Sequence, residues 1–120
     1  MSGERVYRLR GPRGVLAERL YRPGPGLAWA LGLLARPPLK PGEGLWLVPG
    51  GSIHTWGLRY AIDVLFLDRD LRVLRVARGV RPWRVALAPR GTAGVVELPA
   101  GAAPAEAGDR LTIEPAVAGP

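Results

Sequence analysis

The sequence predicts a mostly β domain of the α+β kind, a compact antiparallel barrel-like or sandwich fold with one short helix near residues 27–35. Three observations predict it. Thirteen prolines and seventeen glycines in 120 residues cut the chain into short pieces, and turn residues at that density suit a chain of hairpins. The pieces between the breaks, notably AIDVLFLD at 61–68 and GVVELPAG at 94–101, have strand length and apolar, β-branched content. The best helical segment is LAWALGLLA at 27–35, which is built from good helix formers. With 48% hydrophobic residues the chain has material for one core, and residues 1–120 are read as a single domain.

Taken in order, ERVYRLR (4–10) alternates weakly and is read as a first strand. GPRG turns the chain, VLAERLYR (15–22) is a second strand or a short helix, and PGPG at 23–26 is a break. The helix follows that Pro-Gly entry and is stopped by Pro37 and Pro38. Being apolar nearly all round, it is expected to pack as a buried plug. After a turn at PGEG comes a short strand, Leu45 to Val48. AIDVLFLD carries apolar residues on both faces and is expected to be central; DRD turns it into LRVLRVAR (71–78), its hairpin partner. GVVELPAG adds a strand, AAPAEAGD a loop or single helical turn, and RLTIEP (110–115) the closing strand, while AVAGP (116–120) is expected to fray. Arg69, Arg72, Arg75, Arg78, Arg81 and Arg84 recur at every third position. On a strand of period two this spacing alternates between faces, so it makes no single basic stripe: at most Arg72 and Arg78 share one face while Arg75 takes the other, and the repeat is read as a solvated strand and loop.

Composition removes several function classes. There is no cysteine, which excludes a disulfide framework, a thiolate nucleophile and a Cys-ligated zinc site. His54 is the single histidine, which excludes a multi-histidine metal centre within one chain. Carboxylates can hold a hard cation, but no metal and no cofactor is predicted. The opening MSGERVYRLRGPRG lacks the apolar stretch of a secretory signal. The longest apolar run falls well short of the roughly 20 residues of a membrane-spanning helix, so a soluble, cytoplasmic protein is expected. The net charge of +7 is concentrated in residues 1–40, where eight basic side chains stand against only Glu4 and Glu18. Such a region attracts phosphate-rich partners. However, every basic residue except Lys40 is arginine, and Gly, Pro, Ala and Leu abound, the mark of GC-rich coding with a thermophilic, thermostable flavour. No aromatic-interleaved basic motif of an RNA-binding sheet is present, and nucleic acid is not the expected partner. An unidentified small molecule or protein is.

The residues with chemical uses gather in GGSIHTWGLRYAIDVLFLD (50–68). Alternation puts Ile62, Val64 and Phe66 on one face of the strand and Asp63, Leu65 and Leu67 on the other. A carboxylate set between apolar residues is costly unless paired or hydrogen-bonded. Asp63 therefore either accepts backbone N–H bonds and locks the fold, or faces a ligand. Glu97, between Val96 and Leu98, is embedded in the same way. His54 suits general acid–base chemistry or, equally, caps a sheet edge. Ser52 and Thr55 bring hydroxyls near it, but the text P-G-G-S-I-H is not the G-x-S-x-G elbow of a serine hydrolase. Trp56, Tyr60 and Trp83 either line a shallow pocket with Arg59 as an anion clamp, or, for Trp56 and Tyr60, cover the core. If the strands of Asp63 and Glu97 adjoin, the two carboxylates converge with His54 and Arg59.

SIHTWGLRYAIDVLFLD, the turn into LRVLRV, the strand VVELPAG and the pair Gly108-Asp109 together resemble the prokaryotic family known as domain of unknown function 192. The match covers roughly residues 15–113, with Leu58 where methionine is usual and Ala61 where proline is usual. Many relatives begin with a secretion signal or lipoprotein anchor, and neither is expected here. The resemblance implies a small β-rich, barrel-like fold and supplies no reaction.

The residues thus point to a ligand- or partner-binding module whose polar end is built from His54, Thr55, Trp56, Arg59, Asp63 and Glu97. In that arrangement Arg59 holds an anionic group and the aromatics hold its apolar part. One alternative is a small hydrolase or isomerase with His54 as general base oriented by Asp63. The other is an accessory protein that binds an envelope component or a protein partner.

Overall fold

The computed structural model describes residues 5–24, 26–101 and 104–116, so all but Ala116 of the expected tail, and residues 102 and 103 of the expected loop, lie outside the described residues. The described elements are β1 (Arg5–Gly11), β2 (Gly14–Arg22), α1 (Leu27–Leu31) running into a 3-10 turn (Gly32–Ala35), β3 (Glu43–Leu47), β4 (Ile53–His54), β5 (Ile62–Leu67), β6 (Val73–Val80), β7 (Val85–Ala86), β8 (Gly94–Pro99) and β9 (Thr112–Pro115). Seven strands form one sheet in the order β6-β5-β8-β3-β2-β1-β9, and β4 pairs with β7 in a separate ribbon. All neighbours are antiparallel except β2 and β3, which are parallel.

The expectation of a mostly β fold holds, but the barrel does not close. The edge strands β6 and β9 approach each other only around an isolated Arg72–Arg110 bridge. There Val73 N–H donates to Asp109 O (2.8 Å) and Leu111 N–H to Leu71 O (2.9 Å). Two register irregularities in the β5–β6 pair add local twist, which curls the sheet without joining its edges.

β5 lies between β6 and β8, and all six of its residues are buried, as its two apolar faces predict. Its alternation feeds two cores. Leu65 and Leu67 pack with Leu9, Leu20, Val96 and Leu98 on one side of the sheet. Ile62, Val64 and Phe66 pack with Leu45, Leu58 and Val95 on the other, where Leu33 of the 3-10 turn joins them. Each such side chain stabilises the fold by about 1.5–3 kcal/mol on burial.

The helix opens with Ala30 N–H donating to Gly26 O at 3.0 Å. It ends where Arg36 is extended (φ −146°, ψ 162°), because the ring of Pro37 disfavours a helical residue before it. It is not the buried plug its composition suggests. Trp29, Leu31 and Leu34 are 38%, 40% and 46% exposed, while Leu33 is buried. So short a helix has one face to give the sheet; Leu33 takes that place, and Trp29, Leu31 and Leu34 are left as a roof.

The arginines at every third position divide as strand alternation requires. Arg72 Nη1 donates to Gly108 O at 3.0 Å and Arg78 Nη2 to Ala105 O, so both serve the loop before β9. Arg75, on the opposite face, donates from Nη1 to Leu87 O at 2.8 Å.

Candidate functional site

Under the roof formed by α1 and the 3-10 turn lies a cavity of about 300 Å³, at the lower end of the range for small-molecule sites. Its floor comes from Leu47 of β3 with Val95 and Glu97 of β8, and its side from the segment Gly50 to His54. That segment can run so close to the sheet only because residue 50 has no side chain. A Cβ on Gly50 would meet Leu47 O at 2.6 Å and Val95 N at 3.0 Å, whereas at Gly51 it would meet nothing within 4 Å.

Glu97 is the polar group in the floor. It is 5% exposed, and β8 alternation turns it, with Val95, away from the core of Val96 and Leu98 and towards the roof. Its Oε1 lies 3.8 Å from where a Cβ on Gly32 would stand. Burial pushes its carboxyl up to about 7, because loss of water penalises the charged form. No hydrogen bond or ion pair among the described residues offsets that cost. Nearby, burial first and the Glu97 charge second raise the Tyr60 phenol, against the Leu39 backbone, which lowers it.

His54 also lines the cavity, but at its exposed edge. Its Nδ1 accepts from Trp56 N–H at 3.3 Å, and its ring packs on Trp56 with centroids 4.9 Å apart. Ser52 lines the cavity too, with Oγ accepting from Ala88 N–H at 2.8 Å. Thr55, one residue on, is buried and structural. Its Oγ1 donates to Arg81 O (2.7 Å) and accepts from Arg84 N–H (2.9 Å), tying the turn after β4 to the approach to β7. Trp56 and Trp83 are 52% and 67% exposed, and neither they nor the exposed Arg59 line the cavity.

Asp63 lies elsewhere. β5 and β8 do adjoin, but Val64 stands opposite Glu97 and Asp63 opposite Leu98. That offset of one residue sends the two carboxylates to opposite faces of the sheet, so they do not converge. Asp63 is 1% exposed; its Oδ1 accepts from Gly79 N–H (2.8 Å) and its Oδ2 from Gly101 N–H (2.9 Å). It is a buried tie between the end of β6 and the turn after β8. The pairing of His54 with Asp63 that a general base needs is therefore not built, since Asp63 is committed to two backbone amides and His54 to Trp56. Among the described residues no group of three His, Cys, Asp or Glu side chains is placed to hold a metal ion.

Of the six expected site residues, the cavity unites His54 and Glu97. Reasoning from sequence missed its roof, Trp29 to Leu34, and Leu47 in its floor. The signal was present in the apolar residues of a helix too short to bury them.

These features define a class: a curled, mostly β domain in which a short apolar helix roofs a cavity over a buried carboxyl. The chain belongs to the DUF192 family, described as an uncharacterized ACR, whose model matches residues 26–113. Two crystal structures show the same fold. A protein of unknown function from Novosphingobium aromaticivorans DSM 12444 has a TM-score of 0.72 at 24% identity, over 89% of this chain and 83% of its own. A candidate transcription regulator from Sinorhizobium meliloti 1021 has a TM-score of 0.75 at 19% identity, over 93% of this chain and 95% of its own. No curated protein matches the chain.

Proposed function

We propose that the protein is a small-molecule-binding module whose ligand enters under the short helix and meets Glu97. The unpartnered carboxyl in the floor of an apolar-walled cavity carries this reading. A carboxyl so deeply buried is costly to ionise in the free protein, and a ligand cation that pairs with it recovers that cost on binding. The best complement is a small, mostly apolar molecule with one basic nitrogen. Its ammonium would hold Glu97 ionised in a desolvated, charge-assisted bond, while the apolar body fills the space between Leu47, Val95 and the roof. His54 at the edge would meet whatever part of the ligand reaches solvent.

Cyclohexylamine and benzylamine are suitable probes, read by calorimetry and melting temperature. Saturable binding that falls at least tenfold in Glu97→Gln supports the proposal. Equal binding by the variant, or none by the parent protein across the amine series, contradicts it. A carboxyl poised near neutrality also favours a second reading, in which Glu97 is the acid or base of a small hydrolase or isomerase. Turnover lost in Glu97→Gln but kept in Asp63→Asn would select that reading.

A further inference from the structure

On the far side of Trp29 lies a second, larger cavity of about 580 Å³, lined by Arg5, Tyr7, Arg22, Trp29 and Pro49 among others. Its charges are unusual. Arg5 and Arg22 are direct cross-strand partners in the β1–β2 pair, an arrangement that puts like charges on one face of the sheet at neighbouring Cβ positions and is destabilising by itself. Three of the other arginines of this hairpin and its turn have acidic partners, and the fourth, Arg19, donates from Nε to the Tyr21 hydroxyl at 3.1 Å. Arg8 pairs with Glu18 and Glu114, Arg10 with Glu114, and Arg13 with Glu106 and Asp109. Arg5 and Arg22 have no carboxylate within ion-pair distance among the described residues. Arg22 instead lies over the Trp46 ring, 4.9 Å from its centroid, and Trp46 meets Tyr7 edge-on at 5.5 Å.

The aromatic walls are held in place. Trp29 Nε1 donates to Pro49 O at 2.9 Å, which fixes that ring in the cavity wall that it shares with the two arginines. Two arginines paired across neighbouring strands, in a cavity that also carries aromatic and proline surface, match a ligand with a doubly charged oxyanion on a planar body.

We propose that this cavity is an anion site, in which Arg5 and Arg22 clamp the phosphate of a small aromatic phosphomonoester whose ring packs against Trp29 and Tyr7. A phosphate near neutrality carries about two negative charges and three acceptor oxygens, enough to neutralise both arginines, and guanidinium geometry suits it. The site shares Trp29 with the Glu97 cavity but none of its polar groups. It involves β1 and β2, which precede residues 26–113, the stretch matched by the family model.

Phenyl phosphate tests the assignment, by isothermal titration and tryptophan fluorescence. The expected result is one saturable site per chain, with inorganic phosphate at least tenfold weaker because it lacks the ring. Arg5→Gln, which gives up no side-chain hydrogen bond or ion pair among the described residues, should weaken phenyl phosphate about tenfold or more, the worth of one hydrogen bond to a charged group. Arg22→Lys should bind better than Arg22→Gln, and both Arg59→Gln and Glu97→Gln should bind as the parent does. The proposal is overturned by the absence of saturable binding. Equal loss in Arg5→Gln and Arg59→Gln overturns it as well, by making the attraction diffuse. So does benzoate binding as tightly as phenyl phosphate, which removes the need for a dianion. Binding of a short single-stranded oligonucleotide but not of phenyl phosphate would give the arginine pair to a nucleic-acid backbone and overturn it too.

Discussion

Replacing Glu97 by glutamine keeps the shape of the protonated side chain and removes its ability to ionise. Comparing the two proteins across pH therefore isolates what burial does to this one carboxyl. Below about pH 4.5, the ordinary value, Glu97 is protonated in the folded and unfolded chain alike and contributes no pH dependence. Between 4.5 and about 7 the unfolded chain gives up the proton and the folded chain keeps it. Stability then falls as pH rises, because the unfolded state binds fewer protons. Above 7 the carboxyl is ionised in both states and the penalty is complete. A separation of about 2.5 between those values, at about 1.36 kcal/mol for each, gives roughly 3 kcal/mol. Glu43, Asp68 and Asp109 are shifted the other way, held low chiefly by the Lys40 amide, the Arg72 amide and the Arg13 guanidinium respectively. They are common to both proteins and cancel in the comparison. Urea unfolding of parent and Glu97→Gln at pH 4, 6 and 8 is the assay. The variant should gain on the parent by about 3 kcal/mol between pH 4 and 8, a midpoint change of roughly 1–3 M. Parallel curves across that range would refute the reasoning, since they would mean that the folded carboxyl titrates like an unfolded one.

Three further outcomes follow from contacts that hold the fold together. Asp63→Ala leaves the buried amides of Gly79 and Gly101 without their acceptor and should cost about 2–5 kcal/mol in urea unfolding. Asp63→Asn, which keeps one acceptor oxygen but turns an NH₂ group towards the other amide, should recover only part of that. Thr55→Val preserves shape but strands Arg81 O and Arg84 N–H, with an expected loss of about 2–3 kcal/mol and earlier amide exchange at residue 84. Gly50→Ala forces a Cβ against Leu47 O and Val95 N and should destabilise by about 1–3 kcal/mol, whereas Gly51→Ala should leave the melting temperature unchanged.

The strands were readable because their cause is local. In AIDVLFLD and GVVELPAG, burial on both faces leaves a continuous apolar run bounded by turn residues, and both became interior strands. Arginine spacing was readable for the same reason, since alternation depends on the strand alone. Register was not readable. Whether Asp63 meets Glu97 turns on a one-residue offset between β5 and β8, which is set by packing distant in sequence. The gap between a curled sheet and a closed barrel is likewise a matter of how β6 and β9 approach across most of the chain. Composition misled over the helix. LAWALGLLA is apolar all round, yet its length gives it a single buried face, and its exposed Trp29, Leu31 and Leu34 became part of the roof of the cavity. His54, before an apolar strand, and Glu97, embedded in one, carried a legible signal as polar residues in apolar surroundings. Thr55 and Asp63 carried the same signal and proved to be ties within the fold.

The side-chain carboxyl carbon of Glu97, followed by NMR through a pH titration with and without cyclohexylamine, tests the proposed role of this residue as a buried recognition group most directly. Alone, the carboxyl should titrate near 7; with the amine bound, its midpoint should drop by more than one pH unit, as an ammonium partner stabilises the charged form. A midpoint near 4.5 in the free protein, or one that saturating amine leaves unmoved, would contradict the account.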